Sequence, residues 1–357
     1  MSVAIRCPSS VTAWGVRIVF LRVDSGCFTA NAVVQYTSII TLTGDREMAI
    51  VVVGNVFVDI KGYPDDIYVP DGRNAGSVEI FHGGVGRNVV EDIANIELRP
   101  RFVSMVDNTG EGQAVVQKLN NHKVDTRYVV SVPDGMGMWL AVFDHKGDLA
   151  GSISKRPRMD AMVELLDEKG DEIFAEADSI IIEIDVDKEI VKRVFKYAEK
   201  YNKRVYAVVA NMSIASERRD FLQSIDCFVC NVLEAGILFV DDFQALSPQE
   251  LCDVLSEKVV SARIPSMVVT MGSRGAVYAD MYGDKGVFPA EKVKVRDTTG
   301  AGDAFCAGVA IGLTYHKTMR EAVAIGTKLA ASVITGSENV CPRFLPGELG
   351  LDIEVND

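Results

Sequence analysis

The chain has only four histidines in 357 residues, His82, His122, His145 and His316, and none stands at zinc-ligand spacing from another. That argues against zinc catalysis. No run of about 18 apolar residues occurs, so no segment reads as a membrane span. Basic residues are in deficit: Lys and Arg total 37 against 50 Asp and Glu, a net charge of −13. A surface of that sign repels phosphate backbones and anionic lipid, which argues against nucleic acid or a membrane as the main partner. There is no internal repeat, no low-complexity tract and no GlyxxxxGlyLys(Ser/Thr) phosphate loop. The seven cysteines are odd in number and scattered, and no signal peptide precedes them, so a reducing cytoplasm is expected. Cys227 and Cys230 form a lone CxxC in an apolar run. Residues three apart on a strand point to opposite faces, so the pair is expected in the core and not on a shared metal.

What remains is ordinary globular material, 48% hydrophobic and 24% charged, long enough for two domains or one large one. Residues 1–47 lack a sustained period of 2 or 3.6 and read as an N-terminal appendage. Met48 then opens MetAlaIleValValValGly, which looks like a first buried strand. From there apolar runs alternate with amphipathic stretches, the pattern of an α/β domain with a mainly parallel sheet over 48–357. Strands are predicted at 49–54, 101–106, 178–184, 204–209, 226–230, 266–271 and 275–279. Helices are predicted near 86–97, 110–121, 187–201, 247–260, 302–314 and 319–334. Segments 60–82 and 126–153 break the rhythm with short strands and turns, and are expected to form a small β-sheet lid.

The strongest chemical signal is AspThrThrGlyAlaGlyAspAlaPhe, residues 297–305, at the start of an apolar helix. Gly300, Ala301 and Gly302 are small enough to let backbone amides approach an anion, and the helix dipole adds to them. Asp303, in the first turn, is placed to accept a hydroxyl proton beside that anion pocket. PheHisGlyGlyValGlyArgAsn, 81–88, sets Gly83 and Gly84 just before a helix, with Asn88 able to hydrogen-bond a ligand hydroxyl. Asp59 follows the first strand, where α/β sheets bind ligands, and suits a vicinal diol. Asn231 and Glu234 follow the strand at 226–230 and could order metal-bound water and phosphate.

Gly83-Gly84…Asn88, Asn231xxGlu234 and Thr299GlyAlaGlyAsp303, in that order, resemble the ribokinase-type (PfkB) family of sugar and nucleoside kinases over about residues 48–345. The resemblance implies a ribokinase-like αβα sandwich with a β-sheet lid that often mediates dimerisation, and therefore a homodimer through the lid. It implies ATP-dependent phosphorylation with Asp303 as catalytic base and Gly300, Ala301 and Gly302 as anion hole. Asp59, Gly83, Gly84 and Asn88 would hold substrate hydroxyls. Asn231, Thr270, Gly272, Gly302 and Thr327 would meet ATP, Glu234 would hold Mg²⁺ through water, and Asp297 and Thr299 match positions that help coordinate K⁺. Two departures stand out. Phe57 occupies a place where the family often has Asn, and its ring either packs on a base or sugar or turns into the core. Gly336SerGluAsnValCysPro departs from the usual end of the K⁺ site.

GlyGlyValGlyArgAsn, ValAspIleLysGlyTyr and GluAsnValCysPro are most similar to the pseudouridine kinase branch, which implies phosphorylation of a nucleoside's primary 5′-hydroxyl. Arg87 then either meets a uracil carbonyl or a phosphate through its planar fork, or is a solvated helix-face residue. A free sugar such as ribose, fructose or 2-keto-3-deoxygluconate is the alternative acceptor, and a non-catalytic sugar- or nucleoside-binding protein the alternative class.

Overall fold

The computed structural model describes residues 49–217 and 219–353. The appendage expected at 1–47 lies outside them. The strands are β1 (Ile50–Val53), β2 (Phe57–Pro64), β3 (Gly76–Gly83), β4 (Arg101–Val106), β5 (Asp125–Ser131), β6 (Gly137–Phe143), β7 (Leu149–Lys155), β8 (Ser179–Glu183), β9 (Arg204–Val208), β10 (Cys227–Asn231), β11 (Ser266–Thr270), β12 (Ala276–Asp280) and β13 (Lys285–Phe288). The helices are α1 (Val85–Ala94), α2 (Gly110–Asn121), α3 (Asp160–Phe174), α4 (Lys188–Tyr201), α5 (Met212–Ser216), α6 (Arg219–Leu222), α7 (Val232–Phe239), α8 (Pro248–Ala262), α9 (Ala301–Thr314) and α10 (Met319–Thr335).

A nine-stranded sheet runs in the order β13-β12-β11-β10-β9-β8-β1-β4-β5, parallel from β5 to β11 and antiparallel at β12 and β13. Strand alternation divides its side chains between two cores. Val51, Val53, Ile180 and Ile182 face α3, α4 and α8; Ile50, Val52 and Ile181 face α1, α2, α9 and α10. Such apolar-on-both-faces strands require helices on both sides, which is the αβα sandwich. Cys227 and Cys230 fall in opposite cores, as their spacing requires. Among the described residues no helix is long and apolar enough to cross a membrane.

Helices start and stop where short-range chemistry permits. Thr318 and Glu321 form a reciprocal capping box at α10, and Asp187 accepts from the Glu189 amide at α4. Helices α9 and α10 pack with backbones nearly touching: a Cβ on Gly308 would lie 2.6 Å from Gly326 Cα.

A second sheet, β3-β2-β6-β7, is separate from the first. Cross-strand neighbours share a face. One register row is Gly83–Phe57–Gly137, and the next on that face is Phe81–Asp59–Trp139–Ser154. The opposite face carries the apolar row Ile80–Ile60–Leu140–Ile153.

The segment 126–153 needs correction. Its first part, β5, belongs to the main sheet, paired in parallel with β4. Tyr128 and Val130 pack into one core and Val129 against the other, so this strand is covered on both faces and could not stand in a solvated flap. Only β6 and β7 join the small sheet.

Candidate active site

Helix α9 begins at Gly300, whose φ of 81° lies in the left-handed region. A Cβ there would also lie 1.9 Å from the Asn339 carbonyl oxygen, so glycine is required on two counts. The first amides of a helix have no intrahelical partner, although the Ala301 amide donates to the Thr298 carbonyl just before the helix at 3.2 Å. Here they are reached over Gly302, which is exposed and has no atom within 4 Å of where its Cβ would stand. Asp303 follows, and its Oδ2 accepts a 2.7 Å hydrogen bond from Asn88 Nδ2. Desolvation raises the Asp303 carboxyl to about 6, with Asn88 and Arg87 pulling it down and Glu234 adding repulsion. A carboxylate tuned toward neutrality beside open helix amides is the pairing that proton abstraction and anion stabilisation need.

Asn88 comes from the first part of α1, and the start of α1 is held from below. Glu183 Oε2 accepts from the Asn55 amide at 2.9 Å and the Gly86 amide at 3.2 Å, while Oε1 accepts from Asn55 Nδ2 at 2.9 Å. Burial, then repulsion from Asp185, pushes Glu183 up to about 7. Gly84, at φ 97°, brings the turn within contact of the Asn55 carbonyl. A Cβ on Gly83 would lie 2.7 Å from Asp59 Oδ2, so this glycine leaves room for the Asp59 carboxyl. Burial raises Asp59, and Lys61 and Arg87 oppose the shift.

On the other side, Asn231 and Glu234 form a reciprocal capping box at α7, with bonds of 2.7 and 2.9 Å. The box uses only Oε2 of Glu234. Burial raises the Glu234 carboxyl, and Asp185 raises it further. Asp185 is paired with Arg156 at 3.4 Å and Arg87 acts on Asp303, whereas among the described residues no cation acts on Glu234, whose second carboxylate oxygen would suit Mg²⁺ held through water. Thr270 ends β11 beside Asn231, and Gly272 follows with φ 58° and open space around it. Asp297 and Thr299 are folded on each other: the Thr299 amide and hydroxyl both reach Asp297 Oδ1 at 2.9 Å, and those bonds hold the Asp297 carboxyl below its usual value.

One expectation is corrected. Arg87 does not lie on a solvated face; it is 1% exposed. Its fork donates to Glu91 Oε2 at 2.7 Å, to the His82 carbonyl and to Asn339 Oδ1 at 3.2 Å. Thr327 is buried within α10 and donates its proton to the Val323 carbonyl at 2.8 Å. Phe57 belongs to neither core; its ring lies across Gly137, on the face that carries Asp59.

Sequence reasoning missed Glu183, Asp185, Glu91 and Asn339. Glu183 and Asp185 had a signal, because acidic residues closing an apolar strand at its C-terminal end stand where such sheets bind ligands. Glu91 had the i,i+4 spacing to Arg87, which gives no sign of burial, and Asn339 had none, since its partners are distant in sequence.

The molecule is a two-sided α/β sandwich with Asp303 at the start of α9 and Asp59 inside β2 of the adjoining small sheet, an arrangement suited to phosphorylating a small hydroxylated metabolite. The pfkB family carbohydrate kinase model matches residues 48–340. The chain belongs to that family, and it is an ATP-dependent sugar or nucleoside kinase. It is 35% identical over 299 residues to guanosine-inosine kinase of Exiguobacterium acetylicum, covering 83% of this chain and 98% of that one. It is 26% identical over 277 residues to pseudouridine kinase of Escherichia coli, covering 76% and 87%. Among solved structures, Arabidopsis thaliana ribokinase complexed with ribose and ATP matches with a TM-score of 0.71 at 19% identity, covering 86% of this chain and 99% of that one.

Proposed function

We propose that this kinase phosphorylates the 5′-hydroxyl of a nucleoside, with guanosine or inosine ahead of pseudouridine. The observation that carries the catalytic part is the Asn88–Asp303 bond set against the Gly300 turn. The acceptor's hydroxyls would lie between Asp59, Gly83, Gly84 and Asn88, whose buried Oδ1 has no partner among the described residues. Asp303 accepts the proton of the attacking hydroxyl as its oxygen reaches the γ-phosphorus. The amides at 300–302 then stabilise charge on the phosphoryl oxygens. Mg²⁺, held through Glu234, would neutralise phosphate charge; Asp297 and Thr299 are the proposed K⁺ contacts. The small sheet is proposed to act as the lid that excludes water.

A nucleoside is favoured over a free sugar by the aromatic surface around Asp59. Phe57 and Trp139 share its face, and an aromatic ring can stack on any base. Guanosine or inosine leads because the relative with that activity is the more similar of the two, and because Arg87, now a buried structural residue, no longer argues for a uracil contact.

The test is ADP release with Mg·ATP, with and without K⁺. The acceptor panel is guanosine, inosine, pseudouridine, uridine, adenosine, ribose, fructose and 2-keto-3-deoxygluconate. The best nucleoside is expected to exceed every free sugar by about tenfold or more in kcat/KM. Phe57→Ala should raise the nucleoside KM by about tenfold, the scale of one lost stacking contact. A sugar that outperforms all nucleosides would refute the acceptor class, and silence across the panel would point to an acceptor outside it.

We also propose a homodimer through the outer face of the small sheet, where Val78, Ile80, Leu140 and Ile153 are exposed. Sedimentation should give twice 38.8 kDa, and Ile153→Lys should shift the protein toward monomer. A monomer at micromolar concentration would refute the interface.

A further inference from the structure

Against the C-terminal half of α1 lies a cavity of about 750 Å³. That is within the range of roughly 300–1,000 Å³ that small-molecule sites occupy. Its walls are α1, the end of α2, the end of α10 and the segment 336–343. In a chain with a net charge of −13, four basic side chains meet here: Lys118, His122, Lys123 and Arg343.

The acidic groups in the wall are largely spent. Glu91 is buried between Arg87 at 2.7 Å and Lys118 at 2.9 Å. The Glu97 side chain is 5% exposed and held by Arg343, with Lys123 at 3.8 Å. Only Glu338 is well exposed, and it stands 3.8 Å from Lys118. Glu91 and Glu97 are thus inside with Lys118, Lys123 and Arg343 as partners, and Glu338 faces solvent beside Lys118; the lysines keep further N–H donors, since an ammonium carries three. His122 adds to this. Asn95 Nδ2 donates to the Cys341 carbonyl at 2.7 Å, which turns Asn95 Oδ1 toward His122 Nδ1, also at 2.7 Å. That network assigns a proton to Nδ1; Nε2 faces Glu91 Oε1 at 3.9 Å and offers a donor to an anion only in the imidazolium form.

The same walls touch the catalytic turn. Arg87, the partner of Glu91, also holds the His82 carbonyl and Asn339, and the Asn339 carbonyl packs against Gly300. Asn88, one residue on from Arg87, holds Asp303.

We propose that this cavity binds a phosphate-bearing small molecule of nucleotide or sugar-phosphate size, through Lys118, His122, Lys123 and Arg343. Bound there, it acts on the acceptor site through Glu91–Arg87 and the 338–339 segment. The coupling rests on the reading of Asp303 given above; the binding does not, and it is measured without turnover.

The probes are GMP, ribose 5-phosphate and inorganic phosphate, titrated calorimetrically into the full chain saturated with a non-hydrolysable ATP analogue and Mg²⁺. The same titrations use His122→Gln/Lys123→Gln and, separately, Arg343→Gln, all changes at partly or fully exposed side chains. At least one probe is expected to bind at one site per chain and to bind tenfold or more weakly in the double variant. Without probe, that variant's kcat should stay within twofold of native. In the native enzyme the probe should change the acceptor KM threefold or more, and in the double variant it should not. Binding that the variants leave unchanged, or no binding of any probe up to about 10 mM, overturns the site. Binding that is lost in the variants without any change in acceptor KM keeps the site and overturns the coupling. Absent turnover with intact probe binding counts against the proposed acceptor and leaves the site standing.

Discussion

Asp303→Asn is expected to lower kcat by about 10²–10⁴, the usual contribution of a positioned general base, while the KM for ATP stays within about threefold. The amide retains the shape of the carboxyl and can still pair with Asn88, so the loss isolates proton acceptance from architecture. The native enzyme should carry an acidic limb that the variant lacks. With Asp303 at about 6, the base is half ionised near that pH, and kcat/KM falls as pH drops below it. Stability runs in the opposite direction. A folded-state value above the ordinary carboxyl value means that the native state prefers the protonated form. The associated stability is complete below about pH 4 and is lost as pH rises through about 6. At pH 7.5 the asparagine variant should therefore melt no lower than native. Steady-state kinetics over pH 5–8 with a parallel melting curve decides the matter: near-native turnover in the variant removes Asp303 from its role.

Arg87→Met is expected to cost about 3–5 kcal/mol of stability, because it leaves Glu91 buried without its closest cation. Both side chains are 1% exposed, so water cannot take the place of the guanidinium. The His82 carbonyl and Asn339 lose a donor in the same step. Adding Glu91→Leu should recover part of the loss, since removing both charges is far less costly than stranding one. Urea unfolding measures each of these. A substrate contact would give the opposite signature, an acceptor KM raised with the unfolding midpoint unmoved, and that result would restore Arg87 to the binding site.

The parallel core was legible because its strands are unbroken apolar runs. MetAlaIleValValValGly and SerIleIleIleGlu read as buried strands whatever surrounds them, and helices such as 110–121 carry their own caps. The GlyAlaGlyAsp turn was legible for a different reason, namely that left-handed backbone and close approach leave few residue choices. Strand β5 was misplaced because TyrValVal among turns reads the same in a flap as at a sheet edge; only the cores that cover it distinguish the two. Helix α3 and strand β13 were not anticipated. Arg87 failed most instructively. Helical spacing places Glu91 one turn along, which suggests an exposed i,i+4 pair, and nothing local reveals that Lys118 and Asn339 close over it.

The lacing of the 339–344 segment onto α1 also has a consequence in time. Asn339 binds the His82 carbonyl, Cys341 donates to Asp92, and Phe344 donates to the Asn95 carbonyl, with the first pair 257 residues apart. At a synthesis rate of roughly 5–20 residues per second, α1 leaves the ribosome on the order of 13–50 s before the segment that completes it. Through that interval Arg87 and Asp92 lack the partners that the late segment brings. A chain that stops short of residue 339 therefore lacks the partners that Asn339 and Cys341 give to Arg87 and Asp92.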